Sequence, residues 1–171
     1  MRNSATVSQT LTFSISDNAI AFGTLSTSAA RYATNTTGSN TDVVAHTLAV
    51  ATNGSTGYTI TVQGPTLTSL QHVGDTITPL ASATASSPGS SQFGIYATKA
   101  GTGAASGAVT APYATASSFA YTGTSAPAQI ASASTTSATE TYSLHYLANI
   151  SPVTPAGTYT TNLVYISTAN F

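Results

Sequence analysis

His46-Thr47-Leu48-Ala49-Val50-Ala51-Thr52, then Asn53-Gly54-Ser55-Thr56-Gly57, then Tyr58-Thr59-Ile60-Thr61-Val62: two runs of period two, divided by turn formers. Successive side chains of a strand point to opposite faces, so His46, Leu48 and Val50 share one face, and Tyr58, Ile60 and Val62 share another. Asn-Gly between such runs is the strongest short turn signal available. The stretch reads as a β-hairpin.

The same period recurs on both sides of it. From Thr6 to Ser16, Val7, Leu11, Phe13 and Ile15 alternate with Ser8, Thr10, Thr12 and Ser14, a half-buried strand. Asp17-Asn18 supplies a turn, Ala19 to Leu25 a short apolar run, and Ser26 to Thr41 a polar loop. Downstream, a looser region runs from Gly64-Pro65 to Thr78-Pro79, and Ala81 to Ser91 is so rich in Ser, Ala, Thr, Pro and Gly that a flexible loop is expected. Gln92 to Ala97 reads as a strand with Phe93, Ile95 and Ala97 opposite Gly94 and Tyr96, and Ala100 to Gly107 as a second small-residue loop. Short strands are expected near Val109, Ser118 to Tyr121 and Gln129-Ile130. Tyr142, Leu144, Tyr146 and Ala148 alternate in the next unit, Ser151 to Gly157 turns around Pro152 and Pro155, and Thr158 to Ala169 alternates again. No helical stripe is present. Eight to ten short strands without a helical crossover make an all-β fold, an antiparallel two-sheet β-sandwich of jelly-roll type. We divide it into an N-terminal strand, residues 1–16, and a single sandwich domain, residues 17–171.

Charge narrows the function. Three basic residues (Arg2, Arg31, Lys99) and four acidic ones (Asp17, Asp42, Asp75, Glu140) are all the charge in 171 residues, against a quarter of an ordinary chain. A net charge of −1 offers nothing to phosphates, so no nucleic-acid partner is expected. No apolar run reaches the roughly 20 residues of a membrane-spanning helix, and Met1-Arg2-Asn3-Ser4 is not a secretory h-region; a secretion signal is absent from this numbering. With no cysteine there is no disulfide, thiolate metal site or thiol nucleophile. Near-absence of Lys, abundance of Ser and Thr, and the sequons at Asn35, Asn53 and Asn149 point to an extracellular or cell-surface protein, with those asparagines as candidate glycosylation sites.

Catalytic patterns are not apparent. The four acids lie far apart, His46, His72 and His145 have no short ligand spacing, and no Gly-X-Ser-X-Gly elbow occurs. No enzyme activity, cofactor or metal is expected: Asp17-Asn18 with Asp42 or Asp75 lacks the repeated aspartates of a calcium loop. Lys99, at a strand end, reads as a solvated lysine rather than one partner of a Lys–Asn isopeptide bond. Tyr58, Tyr142, Tyr146, Tyr159 and Tyr165 could line a sugar platform, but at period two they read as core and cross-strand residues.

The first strand remains. A terminal strand can pair in its own sheet or complete a neighbour's, supplying backbone hydrogen bonds and alternate apolar side chains, here Val7, Leu11, Phe13 and Ile15. Sheet edges normally discourage foreign pairing with charge, especially Lys, which this chain almost lacks.

Three stretches carry a resemblance: Ser14-Ile15-Ser16-Asp17-Asn18-Ala19-Ile20-Ala21-Phe22-Gly23-Thr24-Leu25, Ala49 through Val62, and Tyr142-Ser143-Leu144-His145-Tyr146-Leu147-Ala148-Asn149-Ile150-Ser151 with Pro155 to Tyr159 and the close Thr168-Ala169-Asn170-Phe171. Together they resemble an uncharacterised family of small secreted proteins from uncultured, small-genome bacteria. In architecture and composition the chain is also similar to the jelly-roll subunits of bacterial biofilm-matrix fibres and archaeal bundling pili. That resemblance implies a homopolymer joined head to tail by donation of the N-terminal strand. The alternative is a monomeric surface module binding glycans or serving adhesion.

Overall fold

The computed structural model describes residues 3–100 and 107–170; most of the loop expected at Ala100 to Gly107 lies outside them, as do Met1, Arg2 and Phe171. Within that range the strands are β1 (Leu11–Ile15), β2 (Arg31–Tyr32), β3 (His46–Thr52), β4 (Tyr58–Gln63), β5 (Thr68–Ser69), β6 (Thr84–Ala85), β7 (Gln92–Ala100), β8 (Ala108–Val109), β9 (Ser118–Phe119), β10 (Ala128–Ala133), β11 (Ser137–Asn149), β12 (Tyr159–Thr160) and β13 (Val164–Ala169). Two-residue pairings bring the number above the expected eight to ten. Apart from β10, expected only as a short strand near Gln129-Ile130, the longer strands are the ones whose alternation is visible in the sequence. All ladder pairings are antiparallel, and the fold is all-β.

One sheet has β3 between β1 and β11, with β7 along the other edge of β11 and β2 beyond the end of β3; the second runs β13-β4-β10-β8. Inward residues of both, among them Leu48, Val50, Tyr58, Ile60, Val62, Ile95, Ile130, Tyr142 and Leu144, form the core. Burying such side chains contributes roughly 1.5–3 kcal/mol each before conformational entropy is set against it.

The expected hairpin is a corner. β3 pairs with β1 and β11, β4 with β10 and β13, so Asn53 to Gly57 carries the chain from one sheet to the other. Period two reports which side chains face inward, and the inner faces of two stacked sheets give the same pattern as one face of a hairpin. The tight turn spans Gly54 to Gly57 (N–H of Gly57 to the carbonyl of Gly54, 3.1 Å) rather than Asn53-Gly54. Gly57 has φ +80°, and a Cβ there would lie 2.1 Å from the carbonyl oxygen of Ala133.

A second packing layer was not legible. On the outer face of the first sheet, Tyr96, Phe119 and Leu147 form a small cluster with Ala30, Tyr32 and Leu80 packed on it. It makes β7 and β11 buried on both faces, residues Tyr142 to Asn149 without exception. The polar stretch from Ser26 to Thr41 and the small-residue stretch from Ala81 to Ser91 contribute to this layer, and each contains a strand, β2 and β6.

Candidate functional site

β1 and β13 are the outermost strands of their sheets and touch along one side of the sandwich. Their registers orient the molecule. Leu11 opposite Thr52 and Ala169 opposite Tyr58 place the N-terminal end of β1 and the C-terminal end of β13 beside the Asn53–Gly57 corner. Towards the other end the two edges separate, and the seam opens into a groove of about 1190 Å³. Phe13, Ile15, Ile20 and Phe22 form one wall, Leu163 and the chain from Thr154 to Asn162 the other, and Leu67, Phe93 and Ile150 lie among its lining residues. Asp17 is the only carboxylate lining it among the described residues.

His46, Tyr146 and Tyr165 also line the groove. The imidazole Nε2 lies 2.7 Å from the Tyr146 hydroxyl, which in turn bonds the Tyr165 hydroxyl. Burial, at 4% exposure, holds the His46 imidazole below its ordinary pKa despite the nearby Thr47 backbone and Asp17, and burial raises both phenols. The cluster is therefore neutral at neutral pH.

Ahead of β1, residues 3–10 run outside every ladder and are exposed throughout. Asn53 holds the near part: its Oδ1 accepts from the Thr10 N–H at 2.7 Å and its Nδ2 donates to the Ser8 carbonyl at 2.7 Å. Val7 is 83% exposed. Of the expected polymerisation residues, Leu11 and Phe13 are half-buried against the chain's own core, while Ile15 is more exposed and edges the groove. The structure thus pairs β1 within its own sheet and leaves Val7 on a free arm.

Two polar clusters join residues that the sequence keeps far apart. Glu140, 2% exposed, accepts through Oε1 from Ser137 Oγ (2.7 Å) and the Gly107 N–H (3.0 Å). Its Oε2 lies 3.0 Å from both the Tyr58 and Tyr142 hydroxyls and 3.4 Å from Lys99 Nζ. Lys99 also donates to the Gly107 carbonyl at 2.9 Å, so it is a partly buried ion-pair partner and not a solvated lysine. Burial alone would raise the Glu140 pKa, but the hydrogen bonds from Ser137, Gly107, Tyr142 and Tyr58 outweigh it and hold the carboxyl below its ordinary value. The ion pair ties β7 to β11 within one sheet, and the hydrogen bond from Tyr58 of β4 to Glu140 of β11 bolts that sheet to the facing one.

Asp42 and His145 form the second cluster. His145 Nδ1 lies 2.8 Å from Asp42 Oδ1, the Tyr96 hydroxyl donates to Asp42 Oδ2 at 2.6 Å, and the Tyr96 and His145 rings stack with centroids 4.2 Å apart. These contacts pin the stretch before β3 onto the outer face of the first sheet. No local motif announces a contact across 103 positions.

The remaining candidates separate on burial. Asn35 and Asn53 are exposed, whereas Asn149 is 1% exposed and packed against Ser86 and Gln92, leaving no room for a glycan on the folded chain. Tyr58, Tyr142 and Tyr146 are buried, so they offer no platform to a sugar; Tyr159 and Tyr165 are half-buried. Among the described residues Asp17, Asp42 and Asp75 do not gather into a set of three metal ligands. Among the described residues no helix is long and apolar enough to cross a membrane. Comparison with protein-family models, with curated proteins and with solved structures gives no match.

Proposed function

We propose that this chain is the structural subunit of an extracellular, cell-surface filament, polymerising head to tail by donation of its N-terminal segment to the next subunit. The observation that carries this reading is the exposed arm: Asn3–Thr10 lies outside every ladder, is tied down only at Ser8 and Thr10 among the described residues, leads into an edge strand, and displays Val7 to solvent. Exchanging the whole of β1 would only re-form in a neighbour the contacts that Leu11 and Phe13 already make at home, which gives nothing to offset the entropy lost on association. Donating the arm while β1 stays rooted adds contacts. The arm's freedom from charge between Asn3 and Thr10 removes the usual deterrent to strand pairing. Surface location rests on composition alone, with Lys scarce and Ser and Thr abundant.

Negative-stain electron microscopy tests the reading. The full chain should form fibres that a version lacking residues 1–10 does not, and excess synthetic peptide of residues 3–10 should shorten them. Fibres from the truncated chain, or single particles from the full one, would overturn it.

A further inference from the structure

We infer that the groove between the edges of β1 and β13 is the receptor for the Asn3–Thr10 arm of a second copy of this chain, with Val7 seated against its apolar wall. The inference rests on the filament reading and adds the acceptor to it.

Placement is the first argument. The arm leaves beside the Asn53–Gly57 corner, where Thr10 is tied to Asn53. The groove opens at the other end, where Phe93 and Ile150 line it beyond His46. β1 runs from the corner towards the groove, so an arm continuing its line backwards leads away from its own groove, and a heterologous contact of this kind repeats without closing.

Size is the second. At about 1190 Å³ the groove exceeds the roughly 300–1,000 Å³ of typical small-molecule pockets. Ahead of the tie to Asn53, the five residues Asn3–Val7 span about 16 Å in strand conformation at roughly 3.3 Å per residue, a length suited to a groove rather than a pit.

Chemistry is the third. The N–H groups of Asn18 and Ala19 on one rim, and of Thr161 and Asn162 on the other, donate to no backbone oxygen among the described residues, and all four residues line the groove. An incoming extended chain can satisfy such groups while its alternate side chains meet Phe13, Ile20 and Leu163. With Asp17 as its one lining carboxylate, the groove suits an uncharged segment, and the arm from Asn3 to Thr10 is uncharged. Exposed Val153 precedes the wall residue Thr154, and exposed Leu70 bonds through its N–H to the wall residue Thr158, so apolar surface continues around the mouth.

The test uses two single variants of the full chain. Val7→Asp spoils the arm and leaves the groove; Ala156→Trp, at an exposed residue of the groove wall, blocks the groove and leaves the arm, with Ala19→Trp as a second blocking variant on the opposite rim. Each alone should give no fibres while keeping the parent's thermal unfolding midpoint. An equimolar mixture of Val7→Asp with either Trp variant should sediment as a one-to-one dimer, because one intact arm meets one intact groove. Trp variants that still form fibres, or a mixture that stays monomeric, would overturn the groove as acceptor, while loss of fibres on removing residues 1–10 would leave the filament reading standing. Single particles from the parent chain would overturn both.

Discussion

Glu140 alone among the four acids is buried, and among the described residues each of its polar partners donates to it. Replacing it by Gln turns one acceptor into a donor facing hydroxyls and an ammonium, so Glu140→Gln should cost about 3 kcal/mol, read as a lowered urea midpoint with unchanged slope. Gly107 belongs to the same device, since a Cβ there would lie 1.9 Å from Glu140 Oε2. The pH dependence has two parts with the same sign. Burial lowers the His46 pKa, so the unfolded chain takes up this proton first and stability falls as pH drops below 6.5. The Glu140 pKa is also depressed in the folded chain, so its contribution is present above 4.5 and lost as pH falls further, through the folded value. Urea midpoints between pH 7 and pH 3 should decline in both ranges, with His46→Phe removing the upper decline; an unchanged upper slope in that variant would refute the assignment. None of these partnerships was legible, because a strand brings together residues by register and not by spacing: Tyr58 meets Glu140 across 82 positions.

At the scale of elements, alternation located the long strands other than β10 and left their partners open. The passage from β3 to β4 makes the point: Leu48, Val50, Tyr58 and Ile60 are inward as expected, yet they belong to facing sheets. Gly57 holds that corner in a left-handed conformation against Ala133. Gly57→Ala should therefore destabilise the fold by roughly 2 kcal/mol, since both the backbone strain and the carbonyl contact oppose a Cβ; a change within 0.5 kcal/mol would show that the corner relaxes freely. β7 and β11 departed from simple alternation because an outer layer covers them, and Tyr96 and Leu147, on the face that alternation alone would leave to solvent, are buried in it.

For the whole molecule, scarcity of charge has a consequence for assembly. If uncharged arm meets apolar groove, fibre yield should stay within about twofold between roughly 0.05 and 1 M sodium chloride, because there is little Coulomb interaction to screen. Sulfate at the same ionic strength should raise it by strengthening apolar burial. A steep loss of fibres with sodium chloride would point to an electrostatic contact instead.

The positions of the alternating strands β1, β3, β4, β7, β11 and β13, their inward side chains, the all-β class and the poverty of charge were determined by the sequence itself, because period two and composition are local properties of the chain. Sheet membership, the bolt at Glu140, the Asp42–His145 pairing, the burial of Asn149 and the groove were decided only by tertiary structure. Each depends on which strands lie opposite or beside one another, and where two edges separate is a property of sheet twist and stacking that no single strand carries.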